Sequence, residues 1–158
     1  MLVHRGTDFI KVKAYKYIEI ADEKLYFGSL RASLDGILGF AEEQDTDDFC
    51  EILGDIRLEF SDGKFASAVV PEGHNLFIDG YFLGFEFNEV VKKLETYFSP
   101  VIRLKNKGSI CCEKIGLICF NRGAGGRLFV CSEEYYNKYS SMLMIMEQCE
   151  QKTSANDV

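Results

Sequence analysis

Chemistry needs nucleophiles, general acids and bases, or metal ligands at workable spacing, and this chain offers them sparsely. Its only histidines are His4 and His74. Two histidines leave little room for a zinc site with ordinary ligand spacing. The cysteines Cys50, Cys111, Cys112, Cys119, Cys131 and Cys149 contain no CxxC pair. A Cys–His nucleophile pair would have to use His74, which lies in the turn-like run Pro71-Glu72-Gly73-His74-Asn75. The loop Asn121-Arg122-Gly123-Ala124-Gly125-Gly126-Arg127 invites a phosphate reading. It lacks the Lys-Ser/Thr that a Walker loop places after its last glycine. A strand rather than a helix follows it, which also removes the dinucleotide context. Nothing singles out one pair of carboxylates for hydrolysis. The sequence therefore predicts no catalytic residues, no metal site and no cofactor, and a chain that is not an enzyme.

Charge is the more informative signal. The acidic residues Glu42, Glu43, Asp45, Asp47, Asp48, Glu51 and Asp55 crowd one segment, and no Lys or Arg falls between residues 32 and 56. Charges so close repel one another, and a cationic partner would relieve that repulsion. These seven residues are the predicted partner-binding face. A calcium loop is not the reading, because Asp45-Thr46-Asp47-Asp48 lacks the glycine and distal glutamate at the required spacing. The basic residues Lys92, Lys93, Arg103, Lys105, Lys107 and Lys114 form a weaker counterpart. With 25 acidic against 18 basic residues, the net charge is −7. That balance argues against nucleic acid and against anionic membranes as partners. It favours a basic protein.

The elements that must position these residues follow from periodicity. The length of 158 residues predicts one domain, over 1–150, with a frayed polar tail over 151–158. Residues 9–20 nearly alternate apolar with charged, which predicts a half-buried strand that returns over 24–30 as a hairpin. Residues 42–53 are acidic first and apolar later, which predicts a short helix. Strands over 56–60 and 65–70 flank the Asp62-Gly63 turn signal, and 75–78 adds another before Asp79-Gly80. Residues 88–98 read as a helix capped by Asn88 and stopped by Ser99-Pro100. Four strands follow, over 101–105, 109–113, 115–120 and 127–131. On such a strand Cys111 and Cys112 point to opposite faces, one buried and one exposed. The last helix spans 133–150 with Ser132 as its cap. Its predicted core-facing stripe is Tyr135, Tyr139, Met142, Leu143, Met146 and Cys149, with Tyr136, Met144 and Ile145 off it.

The pattern reads as an α+β fold: a mainly antiparallel, twisted sheet of hairpins with two or three helices packed on it. An internal echo adds a degenerate repeat to that expectation. Leu34-Asp35-Gly36-Ile37-Leu38-Gly39-Phe40 is similar to Ile78-Asp79-Gly80-Tyr81-Phe82-Leu83-Gly84-Phe85. No run of about 18 apolar residues is present, and Met1 to Asp8 contain no signal-peptide core. Both point to the cytoplasm, with the cysteines as free thiols.

A small acidic chain of this type, rich in sheet and without a catalytic set, resembles the immunity proteins of bacterial toxin–immunity systems. The contact-dependent growth-inhibition immunity proteins are the nearest type. The run Asp79-Gly80, Leu83-Gly84-Phe85, Val90-Val91, Leu94, then Ile115-Gly116-Leu117 and Phe120 is also similar to a unit found in many bacterial binding modules. The resemblance implies a protein that binds and neutralises a cognate toxin domain, basic and nuclease-like. The alternative is a non-enzymatic binding or self-assembling module, such as a homodimer.

Overall fold

Short strands and three helices make up the described residues. The computed structural model describes the backbone of residues 9–20, 22–38, 49–52, 56–84, 86–104, 108–122 and 125–156. Side chains are described over the same segments except 35–38, 49–52, 121–122, 125 and 150–156. Among the described residues the order is β1 (Phe9–Lys13), β2 (Tyr17–Ile20), β3 (Glu23–Tyr26), α1 (Arg31–Leu38), β4 (Phe49–Ile52), β5 (Ile56–Ser61), β6 (Lys64–Pro71), β7 (Asn75–Ile78), β8 (Tyr81–Gly84), α2 (Phe87–Tyr97), β9 (Ile102–Leu104), β10 (Ser109–Cys112), β11 (Leu117–Arg122), β12 (Gly125–Cys131) and α3 (Glu133–Asn156). The fold is α+β, as expected, but its strands form two sheets rather than one.

The first sheet runs β3-β2-β1-β7-β8, and its β1–β7 pair is parallel. Residues 9–20 are a tight hairpin rather than one strand. Tyr15 takes a left-handed φ of 63° in the turn, and Asp22 does the same at 65° before β3. Tyrosine rarely adopts that conformation, so alternation alone hides the turn. The second sheet runs β4-β5-β6-β12-β11-β10-β9, with every pair antiparallel. Asp62-Gly63 and Asp79-Gly80 both close two-residue turns with positive φ at each position, as type I′ hairpins require.

Residues 49–52 pair with β5 as a strand, which overturns at those four positions the helix expected over 42–53; residues 42–48 and 53 lie outside the described residues. Phe49 is aromatic and Ile52 β-branched, types that favour strands. The degenerate repeat is not a structural one. Leu34 to Leu38 lie in α1, while Ile78 to Gly84 form the β7–β8 hairpin.

One core cluster joins the inward residues of both sheets, such as Ile10, Ile18, Leu58, Val70 and Leu117, with Val90, Val91 and Leu94 of α2. A second cluster lies on the opposite face of the seven-stranded sheet: Cys111, Ile118, Phe120 and Cys131 pack with Tyr136 and Leu143 of α3. The sheet is therefore covered on both faces. Cys112 belongs to the first cluster and Cys111 to the second, so both are buried. The expectation that one would be exposed fails because it assumed one wet face.

Helix α2 starts one residue earlier than its sequence signal. Glu86 is its N-cap and makes no side-chain cap bond. The carboxylate of Glu72 takes over from the β6–β7 turn: its Oε1 accepts from Phe87 N (3.1 Å) and from Gly126 N (3.2 Å). One side chain thus ties a helix start to β12. Asn88 is consequently not the cap. Helix α3 continues to Asn156, through most of the expected tail.

Gly116 marks one close approach between layers. Its φ is +66°, and a Cβ there would lie 2.6 Å from Tyr15 Cε1 and 3.0 Å from the Cys131 carbonyl oxygen. Gly63, at φ +75°, faces open space. Each alanine substitution should cost about 1–2 kcal/mol for the left-handed conformation. Gly116→Ala should cost a further ~1–3 kcal/mol for the crowding. Urea unfolding of the two variants measures the difference, and equal losses would mean that Tyr15 yields freely.

Candidate partner-binding cleft beside the last helix

The acidic face expected from the sequence lies almost wholly outside the described residues. Glu42, Glu43, Asp45, Asp47, Asp48 and Asp55 are not described, and Glu51 is placed only by its backbone, opposite Arg57 in the β4–β5 register. Among the described residues, the strongest site geometry belongs to α3.

Ser132 fixes where α3 begins. Its Oγ accepts from Tyr135 N (3.2 Å), and its own N–H donates to the Ala66 carbonyl (2.8 Å). That confirms the cap and pins the helix start to β6. Glu133 and Glu134 in the first turn suit the helix dipole. The face turned to the sheet is Tyr136, Ser140 and Leu143, all buried. This corrects the sequence stripe by about one residue. Tyr136 is in the core, whereas Met142, Met146 and Cys149 are exposed. The six-residue stripe is a wide arc, and only part of it meets β-sheet.

The tyrosines beside that face organise a cleft. Tyr139 stacks on Phe129 (5.9 Å, 9°) and on Tyr135 (5.6 Å, 18°). The cleft, about 580 Å³, lies between α3 and the β5–β6 hairpin. Tyr15, Phe27, Phe65 and Met142 supply apolar walls, and Asp62, Lys64, Glu134 and Lys138 line it with charge. Beside it, Glu59 Oε1 accepts from Ser67 Oγ (2.8 Å) and Tyr135 OH (3.2 Å). Burial, then the Glu59 charge, pushes the Tyr135 phenol well above its ordinary value. Tyr135 is thus held as a hydrogen-bond donor, and the network fixes the ring that forms the wall.

A shallower depression of about 660 Å³ continues along α3 over Asn137, Ser141, Met142, Ile145 and Met146. It shares Glu134, Lys138 and Met142 with the cleft, so the two form one surface. Ile145 is 59% exposed, Met142 44% and Met146 41%. The surface combines aromatic walls, flexible thioethers and a charged rim.

The other sequence candidates are dispersed. His74 lies in the β6–β7 turn. Among the described residues no group of three His, Cys, Asp or Glu is placed to hold a metal ion. Arg103 pairs with Glu95, and Lys93 sits over the Phe82 and Tyr97 rings. Lys105 and Lys107 lie outside the described residues. So do Gly123 and Ala124 of the glycine loop, while Arg127 Nη1 donates to the Gly126 carbonyl (3.1 Å).

Burial also sets the behaviour of the thiols. Desolvation, then neighbouring Cys112, raises the Cys111 thiol from 9.0 to about 11. Cys119, Cys131 and Tyr136 are raised by burial in the same direction. A folded-state value above the unfolded one means stability is complete below pH ~9 and is lost as pH rises towards the folded value. The urea midpoint should therefore fall between pH 8 and pH 10.5, and a flat profile would contradict these burials. At pH 8, mass-mapped iodoacetamide labelling should find Cys149 fast and Cys111, Cys112, Cys119 and Cys131 protected until unfolding. Comparison with known proteins finds no matching family model, no matching curated sequence and no matching solved structure.

Proposed function

We propose that this chain is a non-enzymatic binding protein whose α3 surface holds a protein partner. One observation carries this reading: the exposed Met142, Ile145 and Met146 run directly into an aromatic-walled cleft. Leaving such side chains in water forgoes about 25 cal/mol per Å² of apolar surface. Apolar patches with polar rims mark interaction sites, and methionine adapts to irregular partner surfaces.

The immunity-type resemblance supplies the partner class, a toxin domain that the chain neutralises in the cytoplasm. The net charge of −7 supports a basic partner through long-range steering. In that mechanism α3 contributes the apolar contact and the acidic segment the attraction. No described helix is long and apolar enough to cross a membrane. The same α3 surface would also serve a homodimer, which is the second reading.

The test co-expresses the chain with the C-terminal domain encoded by the gene immediately upstream. Growth rescue and a salt-sensitive complex are expected. Ile145→Asp should weaken the complex at least tenfold, about 1.4 kcal/mol, with the unfolding midpoint unchanged. Joint reversal of Asp47 and Asp48 to lysine should slow association and flatten the salt dependence. Absence of both toxicity and complex would overturn the immunity reading. Sedimentation showing a dimer that Ile145→Asp dissociates would then establish self-assembly.

A further inference from the structure

The outward face of the five-stranded sheet carries a row of rings beside a trough. Its residues follow from register. Lys11 stands beside Phe77 on β7 and Glu19 on β2, and Lys13 stands beside Tyr17. Phe77 is opposite Phe82, and Tyr17 is opposite Tyr26. Phe9 lies 5.7 Å from Phe77, and Phe77 lies 5.0 Å from Phe82, so the row crosses β1, β7 and β8. Phe9 remains 48% exposed and Phe82 39%, and Tyr26 and Tyr97 at the flanks are exposed as well. At about 100 Å² each, these four leave about 400 Å² of aromatic surface in water. A patch of that size on one molecule usually marks an interaction site.

The trough, about 440 Å³, is lined by Lys11, Lys13, Tyr17, Glu19, Phe77 and Asp79. Its charges are already paired: Lys11 meets Glu19 and Lys13 meets Asp79, each across 3.9 Å. Asp79 Oδ1 also accepts from Ala14 N (3.0 Å). Lys24 and Lys93 at the sides are balanced by Asp22 and Glu23 at the β2–β3 end. A charged occupant of either sign would have to break these pairs to gain anything. An aromatic ring would not. Paired charges tolerate apolar cover far better than lone ones, and a ring gains from a lysine beside its face. This face already uses that contact twice: Lys24 lies 5.0 Å over the Tyr17 ring, and Lys93 lies 6.0 Å over Phe82.

One face thus offers both rings and a seat for rings. A two-fold axis between row and trough sets the row of each copy into the trough of the other, which is the reciprocity an isologous contact requires. Charge points the same way. A chain of net charge −7 repels its own copies at long range, so a contact between copies belongs where charge is balanced, as it is here. We propose that the chain forms a two-fold dimer through this face, with Phe9 and Phe82 of one copy seated between Tyr17 and Phe77 of the other. The dimer leaves α3 open. The inference is therefore independent of the α3 reading and distinct from a homodimer built on α3.

The experiment is sedimentation velocity of the full chain from about 5 to 500 µM, at 150 and 600 mM NaCl. A monomer–dimer equilibrium in the micromolar range is expected, because about 800 Å² over both copies lies at the low end of specific interfaces. The added salt should change Kd less than about threefold, since the contact is balanced in charge. Phe82→Asp should raise Kd at least tenfold. Lys11→Glu, at a side chain 61% exposed, should do the same from the trough side, and keeps the test intact if Phe82→Asp misfolds. A mixture of the two variants should associate more tightly than either alone, because one row and one trough remain intact in the mixed pair. Ile145→Asp, on α3, should leave Kd unchanged. A monomer at 500 µM overturns the proposal, and so does the absence of any gain on mixing. A dimer that Ile145→Asp dissociates and Phe82→Asp spares also overturns it, in favour of pairing through α3.

Discussion

Burial of the seven-stranded sheet on both faces is the constraint on which the rest of this structure depends. A sheet with one wet face needs one cover. This one presents Leu117 and Cys119 to one side and Ile118 and Phe120 to the other, so it needs two. The five-stranded sheet and α2 supply the first cover, and α3 supplies the second. Each cover spends one face on the core and leaves another outward. The two outward faces lie on α3 and on the smaller sheet.

The joints between layers are few and specific. Glu72 holds α2 to β12, Ser132 holds α3 to β6, and Tyr15 lies against Gly116 with its hydroxyl donating to the Glu113 carbonyl. Gly28 N donates to the Phe65 carbonyl at 2.9 Å, linking the end of β3 to β6. A buried backbone group must find a partner wherever regular pairing stops. These residues supply it where the two sheets and the helices change hands.

Local chemistry was legible in the sequence, and layer chemistry was not. Asp62-Gly63 and Asp79-Gly80 announced their turns because few residues other than these tolerate positive φ. Ser132 announced the start of α3. By contrast, the turn at Tyr15 carries no turn residue, and β4 follows an acidic run that reads as a helix start. The shared Asp-Gly motif lies in a helix at 35–36 and in a hairpin at 79–80, because tertiary contacts override a short string. The pairing of Lys11 with Phe77 depends on strands far apart in the chain. No local period could have shown that the rings of Phe9, Phe77 and Phe82 meet.

That parallel β1–β7 pair also dictates an order of events. Phe9 meets Asn75 and Val12 meets Ile78, so the smaller sheet is split by the segment that carries β4, β5 and β6. The N-terminal hairpins emerge first during synthesis and lack their central neighbour. The β5–β6 hairpin is local and can form at once, while the β1–β7 contact must wait for a long loop to close. Until it does, Ile10 and Val12 have no β7 beside them. The nascent chain therefore passes through an interval in which its first strands are an unpaired edge, the stage at which chaperone capture or mispairing between chains is most probable.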